Sequence, residues 1–167
     1  SKSFIGLIAG MLINEGKLDA NVPLARYVPE LAPSAWGDAT LQQTLDMTTA
    51  VRYSEDLKDH NSDLMRYYAF ASGTFPPPPG YDGPRNIYEM LMRLPKEGEH
   101  GKGFVYKTVN PEAVAWAVSR VTGQRPSALI SERLWRRLGT EEDAYVTIDP
   151  AGMEMMGGGM SVGLRDL

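Results

Sequence analysis

The chain has 167 residues, 43% hydrophobic and 23% charged, with a net charge of −4 at neutral pH. These figures describe a globular chain of ordinary domain size, exclude wholesale disorder, and give a nucleic-acid function no electrostatic footing. The absence of cysteine excludes disulfides, thiol nucleophiles and thiolate metal sites, and leaves the compartment open.

Phe4, Leu7, Ile8, Met11 and Leu12 recur at the spacing of one helical face, and Ile5, Ala9 and Ile13 add apolar residues elsewhere. The first helix is therefore expected to be buried on most sides and to stop at Glu15-Gly16. Its apolar run is too short for a bilayer span, which takes roughly 20 residues. It also lacks a start signal, having only Lys2 at its mouth. Both ends of the chain read as severed.

A short helix is expected within Val22 to Tyr27, and another over Leu41 to Met47 with Thr40 as its cap. Further helices are expected over Asp63 to Ala71 and Ile87 to Leu94, the second capped by Asn86. Pro76 to Pro79 can be neither helix interior nor central strand and reads as a rigid surface loop. Asn110-Pro111-Glu112 has the order of a cap, a first-position proline and an acid near the positive end of a helix. Val114, Ala117, Val118 and Val121 form that helix's buried stripe, and Gly123 ends it. Pro126 to Leu138 reads as one helix with Ile130, Leu134 and Leu138 inward, and Tyr145 to Ile148 as a short strand. The tail from Met160 to Leu167 reads as the start of another helix.

Four features bear on chemistry. Lys2 is either a general base at a helix start or an ordinary exposed lysine. Tyr106, in Phe104-Val105-Tyr106-Lys107-Thr108-Val109-Asn110, either projects a phenol into a site or packs in the core. Gly157-Gly158-Gly159 matches no phosphate-binding pattern and reads as close backbone packing. His60 and His100 lie in polar loops without a partner at metal-ligand spacing and read as surface residues. No metal site is expected.

In order and spacing, these segments resemble the serine β-lactamase and penicillin-recognising hydrolase family. The resemblance is strongest to its class C-like esterases and 6-aminohexanoate-dimer hydrolases. It is carried by Lys2-Ser3-Phe4, Gly16-Lys17-Leu18-Asp19, Tyr27-Val28-Pro29-Glu30-Leu31 and Leu45-Asp46-Met47-Thr48-Thr49. Phe104-Val105-Tyr106 with Asn110, and Gly157-Gly158-Gly159-Met160 with Leu164-Arg165-Asp166-Leu167, complete the series. It implies a mostly α chain: residues 1–167 would be the helical domain of the α+β serine β-lactamase-like fold, truncated at both ends. The flanking antiparallel sheet would be largely absent.

The resemblance maps the lysine of the family's Ser-x-x-Lys motif onto Lys2, which puts the nucleophilic serine upstream of residue 1. The tyrosine of its Tyr-x-Asn motif falls on Tyr106. Thr108 stands at that motif's third position, a departure that weighs against β-lactam turnover, and Asn110 lies two residues on. The implied reaction is hydrolysis of a small linear amide or ester through an acyl-enzyme. Lys2 and Tyr106 would move the proton, Thr108 and Asn110 would contact substrate, and no metal or organic cofactor is needed. Partners would be that small molecule and the missing segments of the fold, with no nucleic acid and no membrane span. The alternative is a non-catalytic penicillin-binding or sensor-like module of the same fold.

Overall fold

A computed structural model describes residues 1–166. Helix α5 (Val109–Thr122) is its axis, with every residue from Val109 to Val118 buried. Around it pack α1 (Lys2–Asn14), α2 (Leu41–Leu45), α4 (Ile87–Arg93) and α6 (Pro126–Ile130). A helix apolar on all sides is stable only when enclosed, since each fully buried Val or Leu side chain stabilises by roughly 1.5–3 kcal/mol.

Helix α1 is packed around most of its circumference, with Phe4, Met11 and Ile13 partly buried against the core. It buries Ile5, Ile8, Ala9 and Leu12, whereas Leu7 is 54% exposed in a shallow groove with Ser3, Gly6, Gly10 and Met11. The helix is thus buried on most sides, as expected, and Leu7 is the one residue of the expected stripe that stands exposed.

Two expected helices change pitch. Residues 64–71 run as a wide π turn over Leu64–Tyr68 and then as α3 (Ala69–Ala71). After α6 the chain takes a second π turn at Ser131–Trp135 before α7 (Arg136–Leu138), which Gly139 ends with φ +72°. The inserted turn swings Trp135 into the buried layer and leaves Leu138 61% exposed, against the expected inward Leu138.

The only sheet among the described residues pairs β1 (Tyr145–Val146) with β2 (Met160–Ser161) antiparallel, Tyr145 opposite Ser161. The expected strand through Ile148 stops two residues early, and Met160 and Ser161 are strand rather than helix. Leu164–Asp166 forms a single 3-10 turn. Leu167, the last residue of that expected helix, lies outside the described residues. The loop between β1 and β2 presses Met153, Met155 and Met156 onto the core and presents Gly157 beside the start of α1.

Candidate functional site

Lys2 is the first residue of α1 and is half-buried. Its Nζ donates to the Gly157 carbonyl oxygen and lies 5.1 Å from the centroid of the Tyr106 ring. A cation at that distance over an aromatic face is attracted by the ring quadrupole. The structure thus brings together two residues separated by more than a hundred positions, and adds Gly157 as the group that fixes the ammonium. Tyr106 is 52% exposed and its neighbours Phe104 and Val105 are also exposed, so the ring is reachable from solvent.

The segment carrying Tyr106 has no regular structure and is pinned from one side. The Val105 N–H donates to the Met47 carbonyl at 2.9 Å, and the Lys107 ammonium donates to the Val51 carbonyl. Lys107 is buried, and desolvation holds its pKa below the usual lysine value despite the nearby charges of Glu97, Glu55 and Asp63. Met47 has φ +56°, the left-handed region that a side chain adopts at a cost. That turn lets its carbonyl meet Val105 directly after α2.

Thr108 and Asn110 are both held by contacts within the fold. The Thr108 N–H donates to the Glu55 carboxylate, and the Thr108 hydroxyl donates to Glu55 Oε2 at 3.1 Å. Asn110 has no exposed surface. Its Oδ1 accepts from Thr49 Oγ1 at 2.9 Å and Trp36 Nε1 at 3.3 Å, and its Nδ2 approaches Met47 Sδ at 3.4 Å. The expectation that Asn110 caps the helix is corrected: α5 begins at Val109, and a distant carboxylate, Glu55, takes the N–H of Thr108 just before it.

Glu112 belongs to the same region, though its spacing in the sequence does not announce it. Expected as an acid near the positive end of a helix, it is fully buried. Its Oε1 accepts from the Tyr68 hydroxyl at 2.7 Å and the Gly157 N–H at 2.9 Å, and its Oε2 accepts from the Met156 N–H at 2.9 Å. Burial pushes its carboxyl up to about 7, while Tyr68, the two backbone donors and the charge of Lys2 pull it down. The same burial, with the Glu112 charge behind it, drives the Tyr68 phenol well above its ordinary range. The signal available in the sequence was position: Glu112 is the one acid in the otherwise uncharged stretch Val109 to Ser119.

Gly157 admits no side chain, as the sequence reading anticipated. A β-carbon there would lie 2.6 Å from Glu112 Oε1 and 2.7 Å from the Thr108 carbonyl oxygen. His60 is exposed as expected, but the His100 side chain is only 4% exposed. Its Nδ1 accepts from the Ala50 N–H at 2.9 Å, so in the neutral ring Nε2 carries the hydrogen and faces Asp38 Oδ1 at 3.1 Å. Among the described residues, no group of three or more His, Asp or Glu side chains is placed to hold a metal ion, and no helix is long and apolar enough to cross a membrane.

The sequence profile of the beta-lactamase family matches residues 1–154. The 6-aminohexanoate-dimer hydrolase of Paenarthrobacter ureafaciens is 38% identical over 168 aligned positions, covering 100% of this chain and 42% of that protein. A provisionally assigned 6-aminohexanoate-dimer hydrolase from Bacillus anthracis superposes with a TM-score of 0.91 at 32% identity, over 99% of this chain and 43% of its own. A family VIII carboxylesterase shares the fold alone, with a TM-score of 0.60 and 22% identity over 90% of this chain and 37% of that one. The chain thus spans less than half the length of each.

Proposed function

The chain belongs to the beta-lactamase family, and from that premise we propose that it is the helical part of a serine hydrolase acting on small linear amides or esters. The observation that carries the reading is the convergence of Lys2 Nζ, the Tyr106 ring and the Gly157 carbonyl at one open edge of the fold.

In this mechanism a serine three residues before Lys2, outside this chain, attacks the substrate carbonyl. Its hydroxyl proton passes through Lys2 and Tyr106 to the departing amine or alkoxide, and an acyl-enzyme ester forms. Water then attacks that ester, the pair carries its proton back to the serine oxygen, and the acid leaves. Thr108 and Asn110 contribute indirectly. Thr108 fixes the start of α5 through Glu55, and Asn110 holds the segment around Met47 to which Val105, the neighbour of Tyr106, is bonded.

The test is pre-steady-state hydrolysis of a nitrophenyl ester by the protein extended to include that serine and the C-terminal β region. A burst of acyl-enzyme is expected, and Lys2→Ala is expected to lower kcat by on the order of 10⁴-fold or more. The 167-residue chain alone is expected to show no burst. A burst from it, or full activity in Lys2→Ala, overturns the proposal.

A further inference from the structure

Glu112 touches neither Lys2 nor Tyr106, yet it grips the piece of backbone to which Lys2 is bound. Its carboxylate takes the N–H groups of Met156 and Gly157, and the carbonyl of the same Gly157 receives the Lys2 ammonium. These two bonds fix the peptide planes that lead into Gly157, so only that residue's own backbone torsions, φ and ψ, separate the clamp from the carbonyl that takes the ammonium. The close approach depends on residue 157 being glycine, since a β-carbon would strike the Glu112 carboxylate.

Resting on the proton-transfer reading above, we propose that Glu112 is a positioning residue for Lys2: through the Met156–Gly157 backbone it fixes the acceptor of the lysine and so the place of Nζ over the Tyr106 ring. The arrangement also links the two groups electrically. The charge of Lys2 pulls the Glu112 carboxyl down against the effect of burial. A protonated Glu112 turns one acceptor oxygen into a donor facing backbone N–H groups, which loosens the clamp. The carboxyl sits at about 7, raised by burial, so both forms are populated near neutrality. The groups that face this pair are Tyr68 and Tyr53 beside Glu112, Glu55 further off, and Tyr106 and the Ser1 amino group beside Lys2.

The experiment is a pH titration of the chain by NMR, following Lys2 Cε and the Glu112 carboxyl carbon. In the wild type both signals are expected to show an inflection at the same pH, near the Glu112 value of about 7. Glu112→Gln keeps the shape but places an amide N–H₂ against a backbone donor. It is expected to abolish the Lys2 inflection and shift the Gly157 amide resonance. An inflection that survives this substitution belongs to the Ser1 amino group and overturns the linkage. Should Glu112→Gln fail to fold, Tyr68→Phe decides. It removes one donor to the carboxylate, so the Glu112 inflection moves to higher pH and the Lys2 inflection must move with it; a Lys2 signal that stays put overturns the proposal. In the extended protein, Glu112→Gln is expected to lower kcat by up to about 100-fold with KM unchanged, as for a misplaced catalytic group. If ester turnover survives Lys2→Ala, the proton-transfer reading fails by itself, while the Glu112–Lys2 linkage still stands or falls on the titration.

Discussion

Asn110 and Glu112 stand two residues apart on α5, so they project about 200° from each other around the helix. Both are fully buried and both hold three partners. The amide of Asn110 meets two donors at its oxygen and a sulfur at its nitrogen, and all of these are neutral. The carboxylate of Glu112 has acceptors only, so every neighbour must supply a hydrogen, and it carries a charge that burial penalises. One side of α5 is therefore fastened in a way that ignores pH, and the other in a way that responds to it.

The comparison can be broken most severely on the Asn110 side. Asn110→Ala leaves the Trp36 indole N–H and the Thr49 hydroxyl buried without their acceptor, and is expected to cost about 3–4 kcal/mol in urea denaturation, equally at all pH values. A cost below about 1 kcal/mol would show that water replaces the amide.

The pH dependence comes next. The folded-state carboxyl of Glu112 is raised from its ordinary 4.5 to about 7. The folded state therefore binds this proton more tightly than the unfolded chain does. Its contribution is complete below the ordinary value and is lost as pH rises through about 7, by up to about 3 kcal/mol. Glu15, Glu30 and Asp38 act in the opposite sense: their cationic partners hold them below the usual carboxylate range, so their contributions disappear only as the solution becomes acidic. Denaturation measured between the two Glu112 values should thus show stability falling toward neutral pH. Asn110→Ala is expected to keep that slope and Glu112→Gln to flatten it; a slope retained in Glu112→Gln assigns it to another group. The smallest expected effect is Gly157→Ala, at about 2 kcal/mol from overpacking against Glu112 and Thr108. A neutral result would mean that the loop shifts away from α5, which chemical shifts of Met156 would reveal.

The parts of this fold legible in the sequence are those decided locally. Thr40 caps α2 by a reciprocal bond pair with Gln43, Asn86 caps α4 through Glu89, and Gly123 closes α5 with φ +67°. Each depends on residues within one or two turns. Other helix starts are completed from afar. Glu55 takes the Thr108 N–H that precedes α5, Asp149 takes the Ile87 N–H of α4 at 2.8 Å, and Glu154 takes the Ser127 N–H of α6 at 2.7 Å. Nothing in the spacing of those acids announces a target dozens of residues away. The candidate site divides in the same way. Lys2 and Tyr106 stand out in their local sequence and are paired by the family motifs they resemble, whereas the burial of Glu112 and the enclosure of His100 are set by chain segments that meet only in three dimensions.

Three adjacent glycines turn out to have different tolerances. Position 157 is filled by its neighbours, and position 159 lies against Met155 and Thr147, but a β-carbon at Gly158 meets nothing within 4 Å and points from an exposed residue. The chain contains no cysteine. Gly158→Cys would therefore supply a unique thiol, one residue from the carbonyl that holds Lys2, to which a fluorophore or spin label can be attached without competing reaction elsewhere. A loop hemmed in on both sides of Gly158 thus carries a handle for watching the site at work.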